Sequence, residues 1–124
     1  MSKIDSIYLI RIPVQNLERA THFYKEGVGL EFLYDAEGCS YFQLGKIQII
    51  LDPKLKGQAS MISYFLAEEE IKESYQRLID LGASPVKAPK ESNHFQDRDR
   101  WQATLLDTEG NTFGITADIW NDYY

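Results

Sequence analysis

Apolar and polar residues alternate along YLIRIPV, residues 8–14, which puts Tyr8, Ile10, Ile12 and Val14 on one face of a strand and Leu9, Arg11 and Pro13 on the other. Asn16 follows as an N-cap candidate, and Leu17, Ala20 and Tyr24 recur at helical spacing until Gly27 and Gly29 interrupt them. The pattern predicts a helix of about three turns. Three short strands are then predicted, LEFLYD (30–35), CSYFQL (39–44) and IQIILD (47–52), separated by the turn signals AEG and GK. The polar stretch DPKLKGQAS (52–60) reads as a linker.

Beyond the linker the same grammar returns. MISYFL (61–66) is a strand, and EEEIKESYQRLIDLG (68–82) is a helix with acidic residues in its first turn, Ile71, Tyr75 and Leu78 on one face, and Gly82 at its end. SPVKAP is a weak strand, ESNHFQDRDRW a charged loop, WQATLLD (101–107) a strand, and TEGN a turn into TFGITAD (112–118). Both halves read strand, helix, three strands; Leu9 to Val14 and Met61 to Leu66 each span five residues, and the glycine ending the helix follows fifteen residues after Val14 and sixteen after Leu66. The expected fold is therefore α+β: two βαβββ modules, about 5–53 and 59–117, forming one domain over residues 1–124. One helix covers only one face of each module's sheet. The modules are expected to pair as a curved mixed sheet around a cleft, with the helices outside and Tyr8, Ile10, Ile12, Ile62, Tyr64 and Leu66 packed beneath them.

Composition narrows the function classes. The 124 residues carry a formal net charge of −6, which argues against a nucleic-acid footprint, since that needs a basic face. Cys39 is the only cysteine, so no intrachain disulfide forms, and it has no evident base beside it. No apolar run of membrane-spanning length and no signal-like start is present, so a cytoplasmic protein without membrane association is expected.

Two segments, IPVQNLERATHFYKEGVGLEF and LLDTEGNTFGI, resemble the vicinal oxygen chelate superfamily, which includes glyoxalase I, extradiol dioxygenases, and fosfomycin- and bleomycin-resistance proteins. The first is similar to that family's strand, cap, FY helix and LGL exit, the second to its DPDGN turn and last strand. Enzymes of the family chelate a divalent metal through one residue in each of four strands. The resemblance places Leu9, Ile50, Met61 and Gly114 at those positions, and none suits a hard or borderline cation. A slip of two residues would substitute Gln48 or Ser63, which are still poor ligands. His22 reads as a surface residue of the first helix. His94, near Asp97 and Asp99, lacks a partner histidine and reads as part of a solvated lid. No metal and no cofactor are expected.

With Leu9 in the cleft, the same parity brings Arg11, Tyr41, Gln43, Gln48, Ile50, Met61, Ser63, Phe65, Gln102, Thr104, Thr112 and Thr116 onto its surface. Trp101 takes the opposite parity and is expected in the core. The expected ligand-binding set is Arg11, Tyr41, Gln43, Gln48, Ser63, Phe65, Gln102 and Thr104. That mixture suits a small polar or anionic organic molecule, bound or sequestered in the manner of the bleomycin-resistance proteins. Arg11 has two readings: a stem reaching water, or a charge matched by Asp52, by the 97–99 segment or by a ligand anion. The rivals are a metal-dependent lyase, isomerase or dioxygenase with an atypical site, and a dimeric interaction protein without ligand. The resemblance and the aromatic tail DIWNDYY (118–124) together suggest a homodimer.

Overall fold

The alternation at the start of the chain becomes strand β1 (Leu9–Pro13) of a four-stranded sheet in the computed structural model, which describes residues 3–67 and 70–121. The chain divides into two units, Met1–Ala59 and Ser60–Tyr124, each described by itself. In the first, β1 is followed by α1 (Leu17–His22), a π-helical turn (Phe23–Val28), β2 (Glu31–Ala36), β3 (Cys39–Leu44) and β4 (Ile47–Asp52). The sheet order is β1-β4-β3-β2, with β1 parallel to β4 and the other pairs antiparallel.

Asn16 caps α1 by accepting the Arg19 N–H at 3.0 Å, satisfying one of the first-turn donors. The expected three-turn helix is correct in extent but not in winding. After His22 the coil widens, the N–H groups of Gly29 and Leu30 both reach the Tyr24 carbonyl at 3.0 Å, and Gly29 leaves with φ 85°. Phe23, Tyr24 and Gly27 are buried by this turn. At the β2–β3 hairpin, Glu37 and Gly38 both have positive φ, 53° and 79°, as a two-residue hairpin turn requires.

α1 packs on β3 and β4, so Ile12, Phe42, Ile49 and Leu51 are fully buried. Ser40 lies on the same face, its hydroxyl 2.7 Å from Thr21 Oγ1 and donating to Asp35 Oδ1 at 2.7 Å, so this buried polar group is satisfied. Tyr8 does not join this core. It lies one residue before β1 and is 70% exposed, because the strand begins beyond the reach of the helix.

The second unit runs β5 (Ile62–Phe65), α2 (Ile71–Asp80), β6 (Ser84–His94), β7 (Arg98–Leu106) and β8 (Thr112–Trp120), in sheet order β5-β8-β7-β6. α2 buries Ile71 and Leu78 on the face carrying Tyr64, Ala103, Leu105, Phe113, Ile115 and Ala117. The helix is shorter than the expected 68–82, and residues 68 and 69 lie outside the described ones. Ile62 and Leu66 are half-buried, and so is Trp101, which faces α2 with the Lys72 ammonium 5.5 Å from its ring centre rather than entering the core.

Two expectations are corrected here. SPVKAP is the start of an eleven-residue strand, and the segment expected to be a charged lid is the end of β6, a short turn and the start of β7. A solvated edge strand can carry polar residues throughout, and the turn is closed by the Phe95 N–H bonding the Arg98 carbonyl at 2.8 Å. β8 also extends through Ile119 and Trp120, taking up part of the expected tail; residues 122–124 lie outside the described ones. The TEGN turn is organised by buried Asp107, whose Oδ1 accepts the N–H groups of Glu109 and Asn111 at 2.8 and 2.9 Å. Among the described residues no helix is long and apolar enough to cross a membrane.

Candidate functional site

Each sheet has one face covered by its helix and one that is not. On the helix-free face of the first unit, register pairing sets Arg11 beside Ile50, Ile50 beside Tyr41, and Tyr41 beside Tyr34. The next row holds Leu9, Gln48 and Gln43. The structure thus brings Arg11, Tyr41, Gln43 and Gln48 together on one surface. Gln43 uses its amide N–H on the Gly45 carbonyl at 2.7 Å, which leaves its carbonyl oxygen for other partners.

Arg11 is matched by the nearer of its expected partners. Its Nη1 donates to Asp52 Oδ2 at 3.2 Å, the arginine side chain 43% exposed and the aspartate 13%. Asp52 also accepts the Lys54 N–H at 2.9 Å; that bond first, and then contacts including Arg11, hold its carboxyl below the usual range against the cost of burial. The other expected partner, the 97–99 segment, belongs to a different network. Cys39 begins β3 close to Asp52, and burial, followed by that carboxylate, pushes its thiol up, which leaves it a weak nucleophile.

Tyr34 is a member of this face that the alternation of β2 does not reveal. A register shift between Phe32 and Tyr34 turns it to the helix-free side, where its ring stacks on Tyr41 at 4.8 Å and 27°.

The helix-free face of the second unit is equally ordered. One row runs Ser63, Gly114, Thr104, Lys87 and the next Phe65, Thr116, Gln102, Lys90. Ser63, Phe65, Gln102 and Thr104 are therefore on one surface, as their parity predicts. Lys87 and Lys90 join them, although nothing in the SPVKAP alternation signals it.

At the end of this surface Asp118, nearly buried, accepts Arg100 Nε and Nη2 at 2.8 and 3.0 Å and Arg98 Nε at 3.0 Å. These arginines, Arg100 first, hold the Asp118 carboxyl below its ordinary range. The Phe95 ring lies 4.4 Å from the Arg98 guanidinium and 5.2 Å from that of Arg100, which also stands 5.6 Å from the Phe65 ring. The charged segment of the sequence is thus a strut. On the opposite face the Tyr64 hydroxyl is buried without a hydrogen-bond partner among the described residues, and burial raises its pKa, so it keeps its proton.

The four positions that the resemblance assigns to metal ligands do not fit one. Ile50 is fully buried and Leu9 is its neighbour on the same aliphatic floor. A Cβ on residue 114 would lie 3.0 Å from both Met61 Cε and Ser63 Oγ, so the Met61 methyl fills the space where a donor side chain from β8 would start. A thioether and three hydrocarbon or hydrogen substituents offer no oxygen or nitrogen. Elsewhere among the described residues, Glu91, His94 and Asp99 present ligand atoms within 4.8 Å of one another on an exposed hairpin. His94 Nδ1 hydrogen-bonds Asp99 and lies 3.6 Å from Glu91. Asp99 first, then Glu91, raise the imidazole pKa, so the cluster holds a proton more firmly than free histidine does.

No family model matches the chain. Solved structures do resemble it. A glyoxalase-related enzyme from Fulvimarina pelagi superposes with a TM-score of 0.77 at 16% identity, covering 92% of this chain and 88% of that one. A glyoxalase/bleomycin resistance protein/dioxygenase family enzyme from Burkholderia phytofirmans PsJN gives 0.76 at 19% identity, covering 91% and 98%. Lactoylglutathione lyase from Agrobacterium tumefaciens gives 0.71 at 19% identity, covering 93% and 95%. At these identities the likeness establishes the fold, and the fold is the one that the two sequence segments resemble.

Proposed function

We propose that this chain, which has the glyoxalase/bleomycin-resistance/dioxygenase fold, is a metal-independent small-molecule-binding protein that holds a polar or anionic organic ligand on its helix-free sheet faces. The observation that carries the reading is the packing of Met61 and Ser63 against Gly114, with Leu9 and Ile50 at the other two ligand positions. A scaffold whose ligand positions are aliphatic keeps its binding surface and loses the Lewis acid. What surrounds those positions is suited to recognition: Arg11, Tyr41, Gln43 and Gln48 in one unit, and Ser63, Phe65, Gln102 and Thr104 in the other. Amide and hydroxyl groups give direction, aromatic rings give contact area, and cations set the charge preference.

The similarity to a lactoylglutathione lyase favours a second reading, an enzyme with a site of a different kind. Native mass spectrometry of untagged protein, with elemental analysis of the same sample, separates the two. The binding reading expects substoichiometric zinc, nickel, manganese and iron, and either a retained small molecule or a rise in melting temperature with compounds from an organic-anion panel. Stoichiometric zinc, nickel, manganese or iron that persists in His94→Ala, and so is not held by the exposed hairpin, overturns it. Absence of any small-molecule binding leaves the interaction-protein reading in its place. The same spectra report oligomeric state, for which a homodimer is expected; Ile119 and Trp120, both exposed, are the apolar surface offered to it.

A further inference from the structure

Lys87 and Lys90 are three residues apart, and in an unbroken strand they would point to opposite faces. Strand β6 is not unbroken. Its register shifts between Lys87 and Lys90, so that Lys87 pairs with Thr104 and Lys90 with Gln102, two β7 residues that share the helix-free face. An extra residue in a strand re-aims the side chains after it, and here it brings two ammonium groups to one side. Neither ammonium has an ion-pair or hydrogen-bond partner among the described residues. Glu91, the carboxylate next along β6, is turned to His94 instead.

The two lysines border a groove of about 630 Å³ whose lining also includes Pro89, Ser92, Gln102 and Thr104. That volume lies in the range of small-molecule sites. The walls are arranged by charge: two cations along β6, hydroxyl and amide groups along β7, and no carboxylate among the described lining residues. Two ammonium groups on one face of the groove give a bound anion two positive charges to meet. In a chain of formal net charge −6, such a patch is a local reversal of the overall field.

We infer that the β6–β7 groove is an anion subsite: it binds a small organic molecule through a carboxylate or phosphate group held by Lys87 and Lys90, with Gln102 and Thr104 donating hydrogen bonds. Lysine suits this task as a point charge, without the planar fork of arginine. The inference rests on the small-molecule reading given above and narrows it to a ligand class and a place.

The test is a titration of ¹⁵N-labelled full-length protein with inorganic phosphate and, separately, citrate, each against sodium chloride at matched ionic strength. The expected result is saturable shifts confined to residues 87–92 and 102–104, with affinity at least tenfold weaker in Lys87→Met/Lys90→Met. The stronger of the two anions identifies the oxyanion class. If the double variant loses its dispersed spectrum, Lys87→Gln and Lys90→Gln are titrated singly, and each is expected to weaken binding at least threefold. Shifts no larger than those from chloride, or shifts that persist in these variants, overturn the inference; lysines that only shield an edge strand would give that result. A neutral compound retained by wild type and double variant alike overturns the anion subsite while leaving the small-molecule reading intact. Both are overturned only if wild type binds neither anion here and also retains no small molecule and shows no thermal shift with the organic-anion panel.

Discussion

Arg11 and Asp52 meet across the parallel pair β1–β4, Nη1 to Oδ2 at 3.2 Å, on the face that α1 leaves open. The mid-strand guanidinium therefore has a carboxylate within reach, and one of its five N–H groups makes that bond. With 43% of the arginine side chain exposed, the pair is screened by water and contributes at most about 1 kcal/mol. Arg11→Met is expected to change the unfolding free energy by less than about that amount in urea denaturation. Its effect on ligand binding is expected to be larger, because it removes the cation of the first helix-free face. A stability loss several times greater would instead mark Arg11 as a structural residue.

Asp118 is expected to contribute to the acid limb of stability. Its carboxyl is held below the ordinary value by Arg100 and then Arg98, so the folded state binds its proton less readily than the unfolded chain does. The stability it contributes is complete above the unfolded-state pKa, near 3.8, and is lost as pH falls through the folded one. Asp118→Asn is expected to lower the melting temperature at pH 7 and to flatten the decline of melting temperature with acid. A mutant curve parallel to wild type down to the lowest pH would assign the acid limb to other carboxylates.

Cys39 is expected to react slowly. Burial raises its thiol pKa, the neighbouring Asp52 carboxylate raises it further, and only the thiolate attacks disulfides or alkylating agents. Native protein should react with a chromogenic disulfide at least about tenfold more slowly than the same protein in urea. Comparable rates in the two states would show that the β3 terminus opens readily.

Much of this architecture was legible because the strands of the first unit are short apolar runs bounded by turn signals. CSYFQL and IQIILD occupy the residues that their patterns predict, and the resulting register places Tyr41, Gln43 and Gln48 on one face. What was not legible depends on a partner strand. The bulges that turn Tyr34 and align Lys87 with Lys90 are set by pairing with β3 and β7, and no local pattern encodes them. β6 is longer than its pattern predicts for a related reason. All but one of its residues are exposed, so selection for burial leaves no periodic trace in it. The Arg98–Asp118–Arg100 strut joins residues about twenty apart, and only the β7–β8 register brings them together.

Gly114 offers the sharpest test of the second helix-free face. Its backbone does not require glycine, since its φ lies outside the left-handed region, so the question is one of space. A Cβ would meet Met61 Cε and Ser63 Oγ at 3.0 Å and the Ala103 carbonyl oxygen at 3.4 Å. The first two are the tips of exposed side chains, and the thioether has three rotatable bonds with which to swing away. Gly114→Ala should therefore be close to neutral, the strain offset by about 0.4–1 kcal/mol from the less flexible unfolded chain. Gly114→Val is different. Its second methyl has to pass the Ala103 carbonyl, which belongs to the β7 ladder and does not move, so a loss of about 1–3 kcal/mol is expected. The cycle of Gly114→Val with Met61→Ala, followed by urea denaturation, divides the cost: recovery in the double variant attributes it to the methionine, and additivity attributes it to the backbone of β7. The second outcome is expected, because the Met61 methyl has open surface to turn into and the carbonyl has none.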